Sequence, residues 1–292
     1  ESLLHQFPLE ANVPGHFRTI EGSEQQALIV QARSEVLSAA FAGSKEIARH
    51  YAELIELASD AAIEAGLDGI ISLRHRFGDW LREDPQKALA PVYRENGIEI
   101  GDTEADLRER VVATLPFERK QIIEMQAVLS KGTGSSDSDS AEALAIWLSE
   151  EPVQTKFLSL KTAFLTQKEQ LKKRLCTKSS ETIYPGVTDN LIEIAEHMMA
   201  GLDQIAALKV INASRHLFAI AVAVLERYEH LKRQRGAIDH DDQIRKTEIL
   251  LGRSHIRDWI RYRLDRGIDH VLVDEAQDTS PAQWSIIRAI TE

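Results

Sequence analysis

The 292 residues predict a mostly α fold: a helical body over about 21–210 and, after it, a partial α/β piece around one buried strand. Three observations carry this. Apolar residues recur every three or four positions between recognisable start and stop signals along most of the chain. Only His270–Glu275 (HVLVDE) is short, apolar and β-branched, which reads as a buried strand ending in two carboxylates. Residues 1–20, with Pro8, Pro14 and Gly15, read as an irregular lead-in.

The elements follow in order. Ser23 and, three residues on, Gln26 form a capping-box signature, and Leu28, Val36, Leu37 and Phe41 follow at helical spacing up to Gly43. A second helix is predicted from Ser44 to Gly66, with Ile47, Tyr51, Leu54, Ile55 and Ala58 on one face. A third starts near Asp68 and carries Ile71, Leu73, Phe77, Trp80 and Leu81 to the break at Asp84-Pro85. Shorter helices fit 86–95, 103–114 and 117–129. The run KGTGSSDSDS (131–140) reads as a flexible polar loop, followed by a short helix over 140–149. Residues 188–235 read as two helices stopped by Gly236, with Leu208, Ile211, Phe218, Val222 and Leu225 as a buried stripe. Asp239 can cap a helix to about 251, and 254–265 fits another. After Ser280-Pro281 the pattern returns to helix, with Trp284, Ile287 and Ile290 spaced by three.

Composition narrows the function classes. One cysteine, Cys176, excludes an intrachain disulfide and a thiolate-rich zinc site, and it has no patterned partner that would make it a nucleophile. No run of 18 apolar residues marks a membrane span, and the opening residues lack the basic-then-apolar order of a signal peptide; with a single cysteine, a reducing cytoplasm is the expected compartment. The net charge of −11 argues against a protein that simply coats nucleic acid. That average hides a split: residues 1–154 carry 14 Lys/Arg against 27 Asp/Glu, whereas residues 155–268 carry 20 against 14. The densest basic cluster is Lys172, Lys173, Arg174 and Lys178. It suits phosphate contacts that are salt-sensitive and blind to sequence, and equally a solvated helix face. Phe157 and Phe164 lie seven apart, which is core spacing rather than a base-stacking platform.

The strand end holds the candidate chemistry. In open α/β sheets ligands bind beyond the carboxyl ends of the strands, where Asp274 and Glu275 fall. A first carboxylate there can hold Mg²⁺, which prefers hard oxygens, and a second can deprotonate a water that attacks a phosphate. A bare Asp-Glu pair is also compatible with a solvated strand end. The flanking residues decide otherwise, because VLVDEAQDTSPAQW (271–284) resembles the Walker B motif of UvrD/Rep-type superfamily 1 helicases. The resemblance implies Asp274 as the Mg²⁺ ligand, Glu275 as the catalytic base, Gln277 as the γ-phosphate sensor and Asp278 as support for the loop, with ATP as substrate.

YEHLKRQRGAIDHDDQI (228–244) is similar to the element preceding Walker B in the RecB/AddA branch, with His240 and Gln243 where Phe and Leu are usual. The Asp residues in it read as helix caps rather than metal ligands. FPLEANVPGHF (7–17), FLTQKEQLKKRLCTK (164–178) and LDRGIDHVLVDEAQDTSP (264–281) resemble AddA-type subunits of AddAB helicase–nucleases. The resemblance implies a lead-in from motor domain 1A (1–20), a helical 1B-like insertion (21–210) and a returning RecA-like piece of 1A (211–292). It also implies an ATP-driven DNA translocase with an exonuclease, working with an AddB-type partner on double-strand breaks. No Gly-Lys-Ser/Thr phosphate loop occurs in the 292 residues, so this stretch by itself is expected to be inactive. The competing expectation is a non-catalytic helical module that binds DNA or a partner.

Overall fold

A computed structural model describes residues 2–43, 45–74, 85–252, 259–260, 272–274 and 276–291. The chain divides into two compact units, one of residues 1–82 and 216–292 and the other of residues 83–215. The division therefore groups 21–82 with the lead-in, not with the helical body to which their periodicity assigned them.

The unit of residues 83–215 is helical. It contains α5 (Pro85–Glu95), α6 (Glu104–Ala113), α7 (Arg119–Leu129), α8 (Ser135–Leu148), α9 (Val153–Phe164), α10 (Lys178–Ile183) and the first part of α11 (Val187–Gln234). Helix α6 begins with a reciprocal cap. The Asp106 N–H donates to Thr103 Oγ1 at 3.2 Å, and the Thr103 N–H donates to Asp106 Oδ2 at 2.8 Å. Helix α8 packs on α7 and α9, and α9 packs on α6. Leu107, Ile122, Met125, Leu129, Leu144, Leu160 and Phe164 are fully buried. Each such side chain contributes roughly 1.5–3 kcal/mol of transfer free energy. Two expectations change here. The 131–140 run is not all loop, because α8 starts at Ser135; its small polar residues supply the first turn, where unpaired N–H groups accept their help. The 188–235 tract is one helix, since nothing between Val187 and Gln234 breaks it.

The unit of residues 1–82 and 216–292 holds α1 (Ser2–Gln6), β1 (Arg18–Ile20), α2 (Gly22–Ala42), α3 (Lys45–Leu57), α4 (Asp60–Ser72), the rest of α11, β2 (Ala237–Asp239), α12 (His240–Gly252) and α13 (Pro281–Thr291). The Ser23–Gln26 capping box does not form: α2 starts at Gly22, and Glu21 caps it without a side-chain bond. Its buried face is Leu28, Ile29, Ala32 and Ala40, while Phe41 is exposed. The 44–66 helix is divided because Ser59 starts a new one, accepting from the Ala62 N–H at 3.4 Å. Phe77, Trp80, Leu81 and most of 254–265 lie outside the described residues.

Strands β1 and β2 pair in parallel, Arg18 opposite Ala237 and Ile20 opposite Asp239. Each has three residues, too few to show a period of two, so the sequence pattern passed over both. The expected strand at 270–275 is not seen in its described part. Residues 272–274 have no regular structure and Leu272 is 96% exposed. Beside this pair lies a core of Leu4, Phe7, Ala11, Val13, Phe17, Ile238, Leu250, Leu251 and Ile260, against which Ile286, Ala289 and Ile290 of α13 pack.

A buried ionic hub closes this unit. Lys232, near the end of α11, is 2% exposed, and its Nζ donates to Asp239 Oδ2 at 3.0 Å and to Asp242 Oδ2 at 2.5 Å. The Tyr228 hydroxyl donates to Asp239 Oδ2 at 2.8 Å, and Arg74 pairs with Asp239 and with Asp241. Asp239 also caps α12, accepting the Asp242 N–H at 2.9 Å, so the cap reading of these acids is the observed one. Burial opposes ionisation of Asp239, but Lys232, the Asp242 N–H, Tyr228 and Arg74 outweigh it and hold the carboxyl below its usual range.

Helix α11 passes a length-and-composition test for a membrane span, with a mean hydropathy of 1.5 in its most apolar window. Its Ile205, Leu208, Ile211, Ile220, Ala221 and Val224 are buried in protein.

Two stability predictions follow from this packing. A Cβ at Gly201 of α11 would stand 2.2 Å from Val111 Cγ2, a stiff side chain. Gly201→Ala is therefore expected to destabilise by about 1–3 kcal/mol in urea unfolding, despite alanine's better helix propensity. Lys232→Met leaves Asp239 and Asp242 without their buried cation and is expected to cost about 3–5 kcal/mol. The same hub gives an acid limit. Because the folded Asp239 pKa is depressed, its contribution is complete above the unfolded value, near 3.8, and is lost as pH falls below that. Acid titration of thermal stability should show a loss in that range that is smaller in Lys232→Met.

Candidate functional sites: strand-end carboxylates and a basic loop

Asp274 lies exposed in a bend, followed by a 3₁₀ turn over Ala276–Asp278 in which Gln277 is exposed. Glu275 and the Asp278 side chain fall outside what the structure describes. Downstream, Ser280 and Gln283 cap α13 reciprocally: the Ser280 N–H donates to Gln283 Oε1 at 2.8 Å, and the Gln283 N–H donates to Ser280 Oγ at 3.3 Å. The chain after the turn is thus fixed by a cap and by the apolar face of α13 on the core. Ile286, Ala289 and Ile290 make that contact; of the 284–287–290 row expected, Ile290 is among them.

The donor chemistry suits a hard divalent cation. Among the described residues no three His, Cys, Asp or Glu side chains converge as a self-sufficient metal cage. Mg²⁺ at a phosphate site does not need one, since one or two carboxylates suffice when phosphate oxygens and water complete its shell. Asp274 presents such an oxygen donor to solvent.

The basic cluster is not on a helix face. Between α9 and α10 the chain makes a tight reversal, with Leu165 bridged to Leu171 and the Lys172 N–H donating to the Phe164 carbonyl at 3.0 Å. Lys172 is half-buried; Lys173 and Arg174 are exposed in the following bend, and Lys178 is exposed at the start of α10. Leu175 and Cys176 turn inward and are buried. Burial pushes the Cys176 thiol up from its ordinary range, which agrees with an inert cysteine.

The surroundings of this loop hold a residue that pattern reading missed. Asp137, in the first turn of α8, is fully buried. Its Oδ1 accepts from the Thr177 N–H at 2.8 Å and the Ser180 hydroxyl at 2.9 Å. Its Oδ2 accepts from the Thr177 hydroxyl at 2.8 Å and the Gly134 N–H at 3.3 Å. Burial works against the carboxylate, but these donors outweigh it and hold the group below its usual range. One turn further along α8, Ser140 donates to the Leu175 carbonyl at 2.7 Å. Asp-x-x-Ser at 137–140 was the available signal, since positions three apart share a helix face.

Comparison with curated proteins finds no match to this chain. Comparison with protein families does: the model of the UvrD/REP helicase N-terminal domain matches residues 75–292, which span the helical unit, the hub residues of α11, β2 and α12, and the Asp274–Asp278 segment. That family consists of ATP-dependent DNA helicases, which use ATP and Mg²⁺. Matched over well more than half of its length, the chain belongs to the UvrD/REP helicase family.

Proposed function

We propose that the chain is part of the motor of an AddA-type helicase–nuclease subunit that acts with an AddB-type partner on double-strand breaks in the cytoplasm. The observation that carries this reading is the run VLVDEAQDTS at 271–280 within the family match. FPLEANVPGHF (7–17) and FLTQKEQLKKRLCTK (164–178) support the narrower AddA assignment. In domain terms, 1–20 and 211–292 belong to motor domain 1A and the helical body between them to the 1B insertion.

Each residue then has a task. Asp274 holds Mg²⁺, which supplies charge neutralisation at the phosphate oxygens when bound. Glu275 orients the attacking water and takes its proton. Gln277 reports the γ-phosphate to the rest of the motor, and Asp278 supports the turn that presents it. Lys172, Lys173, Arg174 and Lys178 contact the DNA backbone, where cation–phosphate contacts supply affinity without reading sequence. The alternative is a helical module that binds DNA or a partner and never hydrolyses ATP; the absence of Gly-Lys-Ser/Thr within the 292 residues favours it for this stretch taken alone.

Two measurements separate these readings. The 292 residues alone are expected to show no DNA-stimulated ATPase in a coupled assay, because Asp274 and Glu275 have no phosphate loop to face. In the full-length protein, Glu275→Gln should keep ATP binding and lower kcat by about 10²–10⁴-fold, since Gln cannot take the water's proton. Asp274→Asn should instead shift activation to higher Mg²⁺. A near-normal kcat in Glu275→Gln would remove the assigned base; full-length protein with no ATPase at all would favour the non-catalytic module.

A further inference from the structure

We propose that Asp137 is the positioning residue of a DNA-backbone contact formed by Lys173, Arg174 and Lys178, acting through Thr177. The proposal rests on the DNA-contact reading given above and goes further, because it says what shapes the contact.

The basic residues stand out by their density, three cations within the six residues 173–178. Four cations of the same unit are paired: Arg108 with Glu104, Arg110 with Asp102, Lys161 with Glu169 and Lys209 with Glu104. Among the described residues, Lys173, Arg174 and Lys178 have no such carboxylate, although the chain carries 46 Asp and Glu residues. Three like charges within six residues repel one another, which extends and loosens a segment unless something fixes it.

The fixing elements lie on both sides of the charges. Upstream, the Leu165–Leu171 bridge and the Lys172 N–H to Phe164 bond close the reversal. Downstream, Ser140 holds the Leu175 carbonyl and Asp137 holds both the N–H and the hydroxyl of Thr177. With Leu175 and Cys176 buried between these anchors, Lys173 and Arg174 are left to face outward on one side of Thr177, and Lys178 on the other. The close fit around Asp137 extends to the glycines before it. A Cβ at Gly132 would lie 2.3 Å from Asp137 Oδ2, and one at Gly134 would lie 2.4 Å from Thr177 Cγ2. Glycine is thus required at both positions for the carboxylate to reach Thr177. A buried carboxylate with four donors is a stiff anchor, and anchoring lets several cations meet successive phosphates at once without each being ordered separately.

The test uses the 292-residue chain and a fluorescein-labelled DNA oligonucleotide, with affinity measured by anisotropy over a salt series. Lys173→Ala/Arg174→Ala/Lys178→Ala removes the contact itself. It should weaken binding at low salt by about tenfold or more and lower the slope of log affinity against log salt by roughly two units, near 0.7–0.9 per lost phosphate contact. Thr177→Val keeps the shape but loses the hydroxyl, and Ser140→Ala loosens the other anchor. Both should lower the slope by about one unit with the three cations intact, and Thr177→Ser should restore it. Circular dichroism and thermal melting establish that each variant is folded. If the triple variant binds as the unaltered chain does, the DNA-contact reading fails. If the triple variant weakens binding while Thr177→Val and Ser140→Ala, both folded, keep the full slope, the positioning role of Asp137 fails alone. If polyglutamate at equal charge displaces DNA as well as unlabelled DNA does, the loop is a dock for an acidic polypeptide and the proposal is overturned.

Discussion

Much of this molecule depends on a lysine placed where water does not reach. Lys232 carries its charge into the interior because Asp239 and Asp242 meet it there, and Asp239 at once ends β2, caps α12 and receives Tyr228 from α11. One carboxylate thus fixes the orientation of a strand and two helices. Arg74, from the chain just after α4, reaches the same carboxylate. Such a cluster contributes little net stability against an apolar alternative, because desolvation offsets most of the Coulomb gain. What it imposes is register: a slip of one residue in β2 would carry Asp239 to the opposite face and take one carboxylate away from the buried lysine.

The helices were legible because their signals are local. Thr103 with Asp106, Gly43, Gly236 and Asp239 each mark an end through a side chain or backbone conformation that acts within four residues. The errors have physical reasons too. Ser59 lies inside a continuous apolar pattern that masks its cap, and the polar run at 131–140 is hydrophilic because the first turn of α8 uses those groups. Strands β1 and β2 are stabilised by a partner far away in sequence, which no window can see. At the sites the same division holds. The acid run and the lysine cluster are contiguous and could be found; the hold of Asp137 on Thr177 spans 40 residues and could not.

The two candidate sites also differ in how their electrostatics arise. Around Asp274 the sequence carries excess negative charge, a setting suited to a divalent cation. In the 165–178 segment the positive charge comes from a handful of residues inside the basic block 155–268, so the overall balance of −11 says nothing about it. Charge in this protein is a property of segments rather than of the whole, and steering of a polyanion would depend on the local field at short range.

The parallel pairing of β1 with β2 has a consequence for the chain as it is made. Residues 18–20 leave the ribosome long before residues 237–239, and at usual elongation rates the interval is on the order of ten to forty seconds. During that time Leu4, Phe7, Val13 and Phe17 have been synthesised, while Ile238, Leu250 and Leu251, which bury them, have not. The helical unit of residues 83–215 is meanwhile complete and has its own core, so it can fold first. The nascent protein thus passes through a stage in which the unit of residues 1–82 and 216–292 is incomplete and exposes an apolar segment, and a chaperone that binds short hydrophobic segments would find its target there.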